Sequence, residues 1–196
     1  MMSVDAAIWK KFQVRRRDNL PFNASGTRTH LIVLFAELGF KKGAEIGVCR
    51  GEFSAVMLKT IPDLELFCVD NWQPYSLIRS ENRQDLYHQQ AVANLSRFPG
   101  AKILWMDSVE ASRQIPDASL DFVYIDGAHD FDHVMADMLH WIPKVKHDGI
   151  IAGHDYPIEP GVATAVNAYV KGCNITSWYV TREVKPPSWF WVNQRQ

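Results

Sequence analysis

Leu120-Asp121-Phe122-Val123-Tyr124-Ile125-Asp126-Gly127-Ala128-His129 and, further on, Gly149-Ile150-Ile151-Ala152-Gly153-His154-Asp155-Tyr156 decide how this chain folds. Each is an apolar run that stops abruptly at acids and imidazoles. Between them Val134, Met138 and Ile142 recur on one helical face, with Asp132, Asp137 and His140 expected to turn away from it. Solidly apolar strands joined through a helix belong to a parallel sheet covered on both faces. In such sheets ligands bind outside the carboxyl ends of the strands. Asp126, His129, His154 and Asp155 are therefore the first residues to consider for function.

The same alternation extends outward in both directions. Leu31, Leu34, Phe35 and Leu38 mark a helix over residues 27–40, and Ala44 to Val48 read as a short buried strand. Phe53, Val56, Met57 and Ile61 give a second helix that Pro62 ends. Leu64 to Val69 and Ile103 to Met106 are further strands, with a helix between them over about 84–98. Val162 to Val170 is helical. Thr176 to Val180 and Trp189 to Val192 are strand-like and too close for a crossover helix, so they should pair antiparallel. The expected fold is α/β, a Rossmann-like three-layer sandwich whose mostly parallel sheet carries an antiparallel C-terminal strand.

With 196 residues, one domain with a well-buried core is expected over 1–196. Its core would span 43–192, with residues 1–30 a helical lid or extension. The polar stretch from Asn71 to Tyr87 is a second candidate lid. A net charge of -1 exerts no general pull on nucleic acid, and Lys10, Lys11, Arg15, Arg16 and Arg17 read as a solvated helix face. No apolar run reaches membrane-spanning length and no signal-like core opens the chain, so a cytoplasmic protein without a membrane partner is expected. Cys49, Cys68 and Cys173 form neither a zinc pattern nor a disulfide framework.

Glu45-Ile46-Gly47-Val48-Cys49-Arg50-Gly51 follows the first of these strands and opens a helix. Glycines at such a turn let a ligand approach the backbone, and the helix start offers amide donors to an anion. The full G-x-G-x-x-G pattern of nicotinamide and flavin enzymes is absent. Asp70, 25 positions after Glu45, ends the next strand. A carboxylate there can accept both hydroxyls of a ribose or cap a turn. Asp107-Ser108 carries the same ambiguity, because both residues are good caps for a helix starting near Val109.

These residues, in this order, resemble the class I S-adenosylmethionine-dependent methyltransferases. The segments 121–129 and 149–156 are similar to the branch called methyltransferase family 24, a group like the metal-dependent O-methyltransferases of small molecules. The resemblance implies that Glu45, Gly47, Gly51, Phe53 and Ser54 surround the methionine part of S-adenosylmethionine. It implies further that Asp70 holds the ribose, Asn71 and Trp72 flank the adenosine, Asp107 and Ser108 meet the adenine edge, and Asp126 lies under the sulfonium facing the acceptor.

Methyl transfer is an in-line displacement, so the protein must align the acceptor and deal with its proton. Two routes suit a hydroxyl acceptor. His129 can act as a general base; alternatively Asp126, His154 and Asp155 can bind a divalent ion that acidifies the hydroxyl. Ala128 and His154 stand where metal-dependent relatives carry acids, and an imidazole ligand suits manganese, iron or zinc better than magnesium. The catalytic candidates are Asp126, His129 and His154. The expected partner is a small-molecule acceptor, with a homodimer left open. The alternatives are a non-catalytic cofactor-binding module and another nucleotide-dependent α/β enzyme, such as a nicotinamide-dependent oxidoreductase.

Overall fold

Strand residues that alternate between two apolar layers organise the molecule. In the computed structural model, which describes residues 3–14, 20–73, 83–183 and 186–194, Phe122 and Tyr124 face one layer while Val123 and Ile125 face the other. On the first side lie α1 (Val4–Phe12), α2 (Arg28–Glu37), α3 (Glu52–Thr60) and α4 (Gln84–Leu95). The second side is covered by α5 (Ser108–Ser112), α6 (Phe131–Trp141) and α7 (Pro160–Gly172). Helices on both faces of one sheet make the three-layer sandwich expected from the sequence.

The sheet contains β1 (Phe22–Ala24), β2 (Lys42–Ile46), β3 (Glu65–Asp70), β4 (Ala101–Trp105), β5 (Leu120–Ile125), β6 (Val145–Gly153), β7 (Tyr179–Thr181) and β8 (Trp189–Val192), in the order β1-β7-β8-β6-β5-β2-β3-β4. β8 runs antiparallel to both β6 and β7, and every other pairing is parallel. From β2 the chain moves outward through β3 and β4, then returns to the other side of β2 as β5. The strand order therefore reverses between β2 and β5. That reversal opens the crevice in which such sheets take their ligands.

Residues 20–24 had no strand reading in the sequence, because Phe22-Asn23-Ala24 lacks an apolar run. They nevertheless pair with Tyr179 to Thr181 and close the sheet edge. Helix α1 buries Ile8 and Phe12 completely, and Trp9 Nε1 donates to Tyr179 Oη at 2.9 Å. Lys11 of the basic cluster pairs with Glu37. The middle of the candidate lid, residues 74–82, and Arg15 to Arg17 lie outside the described residues. Among the described residues no helix is long and apolar enough to cross a membrane.

One helix departs from its expected orientation. Asp137 of α6 is buried, not turned away, and accepts a hydrogen bond from the Ser108 hydroxyl. α6 packs against both α5 and α7, so its covered surface is wider than the single stripe of Val134, Met138 and Ile142. Burial pushes the Asp137 carboxyl up to about 6, with the Ser108 bond opposing part of the shift.

Candidate active site

Backbone pairing continues past the strand ends and carries the candidate residues into one crevice. The Asp126 amide donates to the Ile46 carbonyl at 2.7 Å and the His154 amide to the Ile125 carbonyl at 3.0 Å. β2, β5 and β6 thus deliver Gly47, Asp126 and His154 side by side. Gly47 has φ +91°, and a Cβ there would lie 2.1 Å from the Asp126 carbonyl oxygen. Only glycine permits so close an approach.

At the β2 end Glu45 is 1% exposed and hydrogen-bonded by the Ser54 hydroxyl from the first turn of α3. Burial raises its pKa to about 8, so this carboxyl stays protonated near neutrality. Gly51 is the N-cap of α3 in the left-handed region, φ +72°, and supplies no side chain to the helix start. The first amides of α3 therefore remain available to an anion. Phe53 packs on Tyr124 with ring centroids 4.8 Å apart.

Asp70 ties two loops together. Its Oδ2 accepts from the Cys49 amide at 2.8 Å and its Oδ1 from the Trp72 amide at 2.7 Å. Each carboxylate oxygen can accept a further bond, which is what a ribose diol requires. Trp72 is buried, and its indole N–H donates to the Cys49 carbonyl. Asn71 folds its side chain onto the Gln73 amide and offers its carbonyl to Trp105 Nε1. His88 of α4 lies against both indoles, 4.6 Å from Trp72 and 4.0 Å from Trp105.

Asp107 and Ser108 both make hydrogen bonds within the protein. Asp107 caps α5, accepting from the Val109 and Glu110 amides, while Ser108 serves Asp137. Replacing Asp107 with alanine is expected to cost about 1 kcal/mol in urea denaturation, and asparagine to keep most of the wild-type stability. Equal stability of all three proteins would contradict the capping role.

The β5 and β6 ends hold a continuous chain of charge. His154 Nδ1 lies 3.4 Å from Asp126 Oδ1 and 3.3 Å from Asp155 Oδ1, and His129 Nε2 lies 3.0 Å from Asp155 Oδ2. Burial disfavours charge on His154, but Asp126 and Asp155 outweigh it and push the pKa up to about 9. The bond to Asp155 raises His129 against its own partial burial. Burial opposes ionisation of Asp155, yet the two histidines hold its carboxyl well below the usual carboxylate range. These groups, with walls from Val134, Val162 and Trp189, line a cavity of about 10 Å³. That is room for one ion or one water.

Ligand atoms of Asp126, His154 and Asp155 lie within 4.8 Å of one another, a spacing that one divalent ion can bridge. His129 stands outside that set, on the other oxygen of Asp155. Arg28, at the start of α2, belongs to no motif that local sequence reveals. Its guanidinium lies 4.6 Å from the Phe53 ring centre and 3.8 Å from Asp126 Oδ2. Only the long-range closure of β1 onto β7 brings it there.

A parallel sheet with its crevice at the β2/β5 reversal, an acid ending β3 and a single reversed strand beside β6 defines the Rossmann-like methyltransferase class. The chain belongs to the family described as a methyltransferase domain, whose model matches residues 44–156. It is also 31% identical over 91 residues to an uncharacterized protein, y4gI, of Sinorhizobium fredii (strain NBRC 101917 / NGR234). That match covers 46% of this chain and 10% of the relative, so the chain spans about a tenth of that protein's length. Among solved structures it is similar to the O-methyltransferase NovP, with TM-score 0.66 and 16% identity over 86% of this chain and 80% of that one. An rRNA methylase from Streptococcus thermophilus is similar at TM-score 0.60 and 10% identity, covering 85% and 96% of the two chains. At these identities the likeness establishes the fold. It leaves the acceptor open, because one fold serves many substrates.

Proposed function

We propose that this chain transfers the methyl group of S-adenosylmethionine to a hydroxyl of a small molecule, with residues 43–192 as the catalytic core and 1–30 as an extension of it. The observation that carries this reading is the joining of Asp126, His154, Asp155 and His129 into one chain of acid–imidazole contacts at the same sheet edge as Asp70. An acid that can hold a ribose and a group able to take a hydroxyl proton then share one crevice. Asp70 and the open start of α3 fit the cofactor, with Glu45, Gly47, Phe53 and Ser54 around its methionine part. When bound, S-adenosylmethionine supplies an electrophilic methyl group.

The two routes for the acceptor proton use different residues. Asp126, His154 and Asp155 fit a divalent ion by donor type and spacing, and such an ion would acidify a bound hydroxyl. His129 is oriented by Asp155 in the manner of a base held by a carboxylate. Asp126, nearest the β2/β5 crevice, faces the acceptor. Among the described residues no disulfide joins Cys49, Cys68 or Cys173, in keeping with a reducing, cytoplasmic setting. The small-molecule acceptor, and whether two copies assemble, belong to the proposal as well.

Calorimetry tests it. The protein is expected to bind S-adenosylmethionine and S-adenosylhomocysteine and not reduced nicotinamide nucleotides, and to methylate members of a panel of hydroxylated acceptors. A chelator should slow transfer, with manganese restoring it, if the ion is needed; unchanged transfer assigns the proton to His129 alone. Binding without transfer to any acceptor would mean a recruiting module, and no cofactor binding would sink the proposal.

A further inference from the structure

We propose that Arg28 is the anion-binding residue of the crevice and takes the carboxylate at the amino-acid end of the cofactor, its guanidinium held ready by the Phe53 ring. The inference rests on the cofactor reading above and goes beyond it by giving a task to a residue of the N-terminal extension.

Three observations carry it. First, Arg28 is anchored at its backbone: its amide donates to Glu183 Oε1 at 2.6 Å, and the same oxygen accepts from the Thr181 and Ser188 hydroxyls. The start of α2 is thereby fixed to the β7–β8 end of the sheet. Second, the side chain lies over Phe53, one of the residues expected around the methionine part, at a distance suited to a cation–π contact. Third, its donors are not consumed. The 3.8 Å to Asp126 Oδ2 is well beyond the roughly 2.7–2.9 Å of a committed charge-assisted bond, and the guanidinium donates no hydrogen bond to any described residue.

A planar fork, oriented and half-exposed, matches a carboxylate. Arg50, the cation within the glycine turn, holds Glu52 as loosely, at 3.9 Å, and is set apart by its direction: it lies toward the Tyr87 ring of α4, whereas Arg28 lies over Phe53. Asp126 shares its other oxygen with His154, so an incoming carboxylate can draw Arg28 away without leaving Asp126 unpaired.

The test compares two ligands that share the adenosine but differ at the amino-acid end. S-adenosylhomocysteine carries the carboxylate; methylthioadenosine lacks it. Calorimetric titration of the full chain is expected to show Arg28→Ala weakening S-adenosylhomocysteine roughly ten- to a hundredfold while methylthioadenosine changes by no more than about twofold. Arg28→Lys, which keeps the charge and loses the fork, should fall between. Equal loss for both ligands would make Arg28 a prop for the fold and overturn the assignment; so would unchanged binding of both, which would turn Arg28 toward the acceptor. Failure of the wild-type chain to bind either ligand would instead remove the cofactor reading itself, and this inference with it.

Discussion

Asp155→Asn is expected to lower the rate of methyl transfer by roughly 10²–10⁴-fold while leaving the affinity for S-adenosylhomocysteine within about threefold. Asp155 is the hub of the charge chain: one oxygen holds His154 and the other His129. A neutral amide cannot balance two imidazoles, and it presents an N–H to one of them. Both histidines should lose basicity, whether their task is to take a proton or to help hold an ion. Asparagine is the right substitute because Asp155 has φ +65°, a conformation that Asn tolerates and alanine does not. The fold should therefore survive.

The pH dependence carries the same signature. His154, raised to about 9, contributes stability that is complete below about 6.5 and lost as pH rises through 9. Asp155, held low, contributes stability present above its ordinary value near 4 and lost at strongly acid pH. In Asp155→Asn the alkaline loss should move to lower pH, measured as the thermal midpoint between pH 6 and 10. An unchanged alkaline limb together with an unchanged rate would show that the chain of charge is ornamental.

The strand ends were legible because an apolar run that stops at an acid leaves little freedom: β5 and β8 fall on their expected boundaries, and Asp126, His129, His154 and Asp155 arrive together. β6 begins earlier than its apolar run, at Val145, because Lys146-His147-Asp148 is an exposed and polar part of the same strand. Arg28 and β1 were illegible for a different reason. Their place depends on contacts across some 155 positions, such as Arg28 with Glu183, that no local period encodes. The burial of Asp137 was missed because a stripe of three apolar residues gives the centre of a helix's covered face and not its width. Asp107 and Ser108 show how one local signal serves two readings, cap or ligand: Asp107 caps α5 and Ser108 bonds Asp137, and neither bond bears on a ligand.

Glu45→Gln is expected to stabilise the protein by up to about 3 kcal/mol at pH 7 while weakening the cofactor. Glu45 is buried beneath the crevice, and burial raises its pKa from 4.5 to about 8 against the opposing Ser54 bond. The direction follows from linkage. Below about pH 4.5 the carboxyl is protonated in both the folded and unfolded chains, so its native environment is fully favourable. Between 4.5 and 8 the unfolded chain ionises while the folded one does not, and stability falls by about 1.4 kcal/mol per pH unit. Glutamine has the same shape, can accept from the Ser54 hydroxyl and never ionises. Its advantage should therefore be near zero at pH 4.5, grow through pH 7 and level off above 8, as read from urea denaturation at those three values. A variant less stable than wild type at pH 7 would mean that Glu45 is ionised in the folded chain, with Arg28 as the partner that keeps it so. The functional cost runs the other way. A cofactor carrying a sulfonium and an ammonium favours an ionised carboxyl beside it, and glutamine cannot answer that charge. Affinity for S-adenosylmethionine should drop at least tenfold, and by more than affinity for uncharged methylthioadenosine. A buried acid that costs stability until a cation arrives is one way a binding site holds instability in reserve for its ligand.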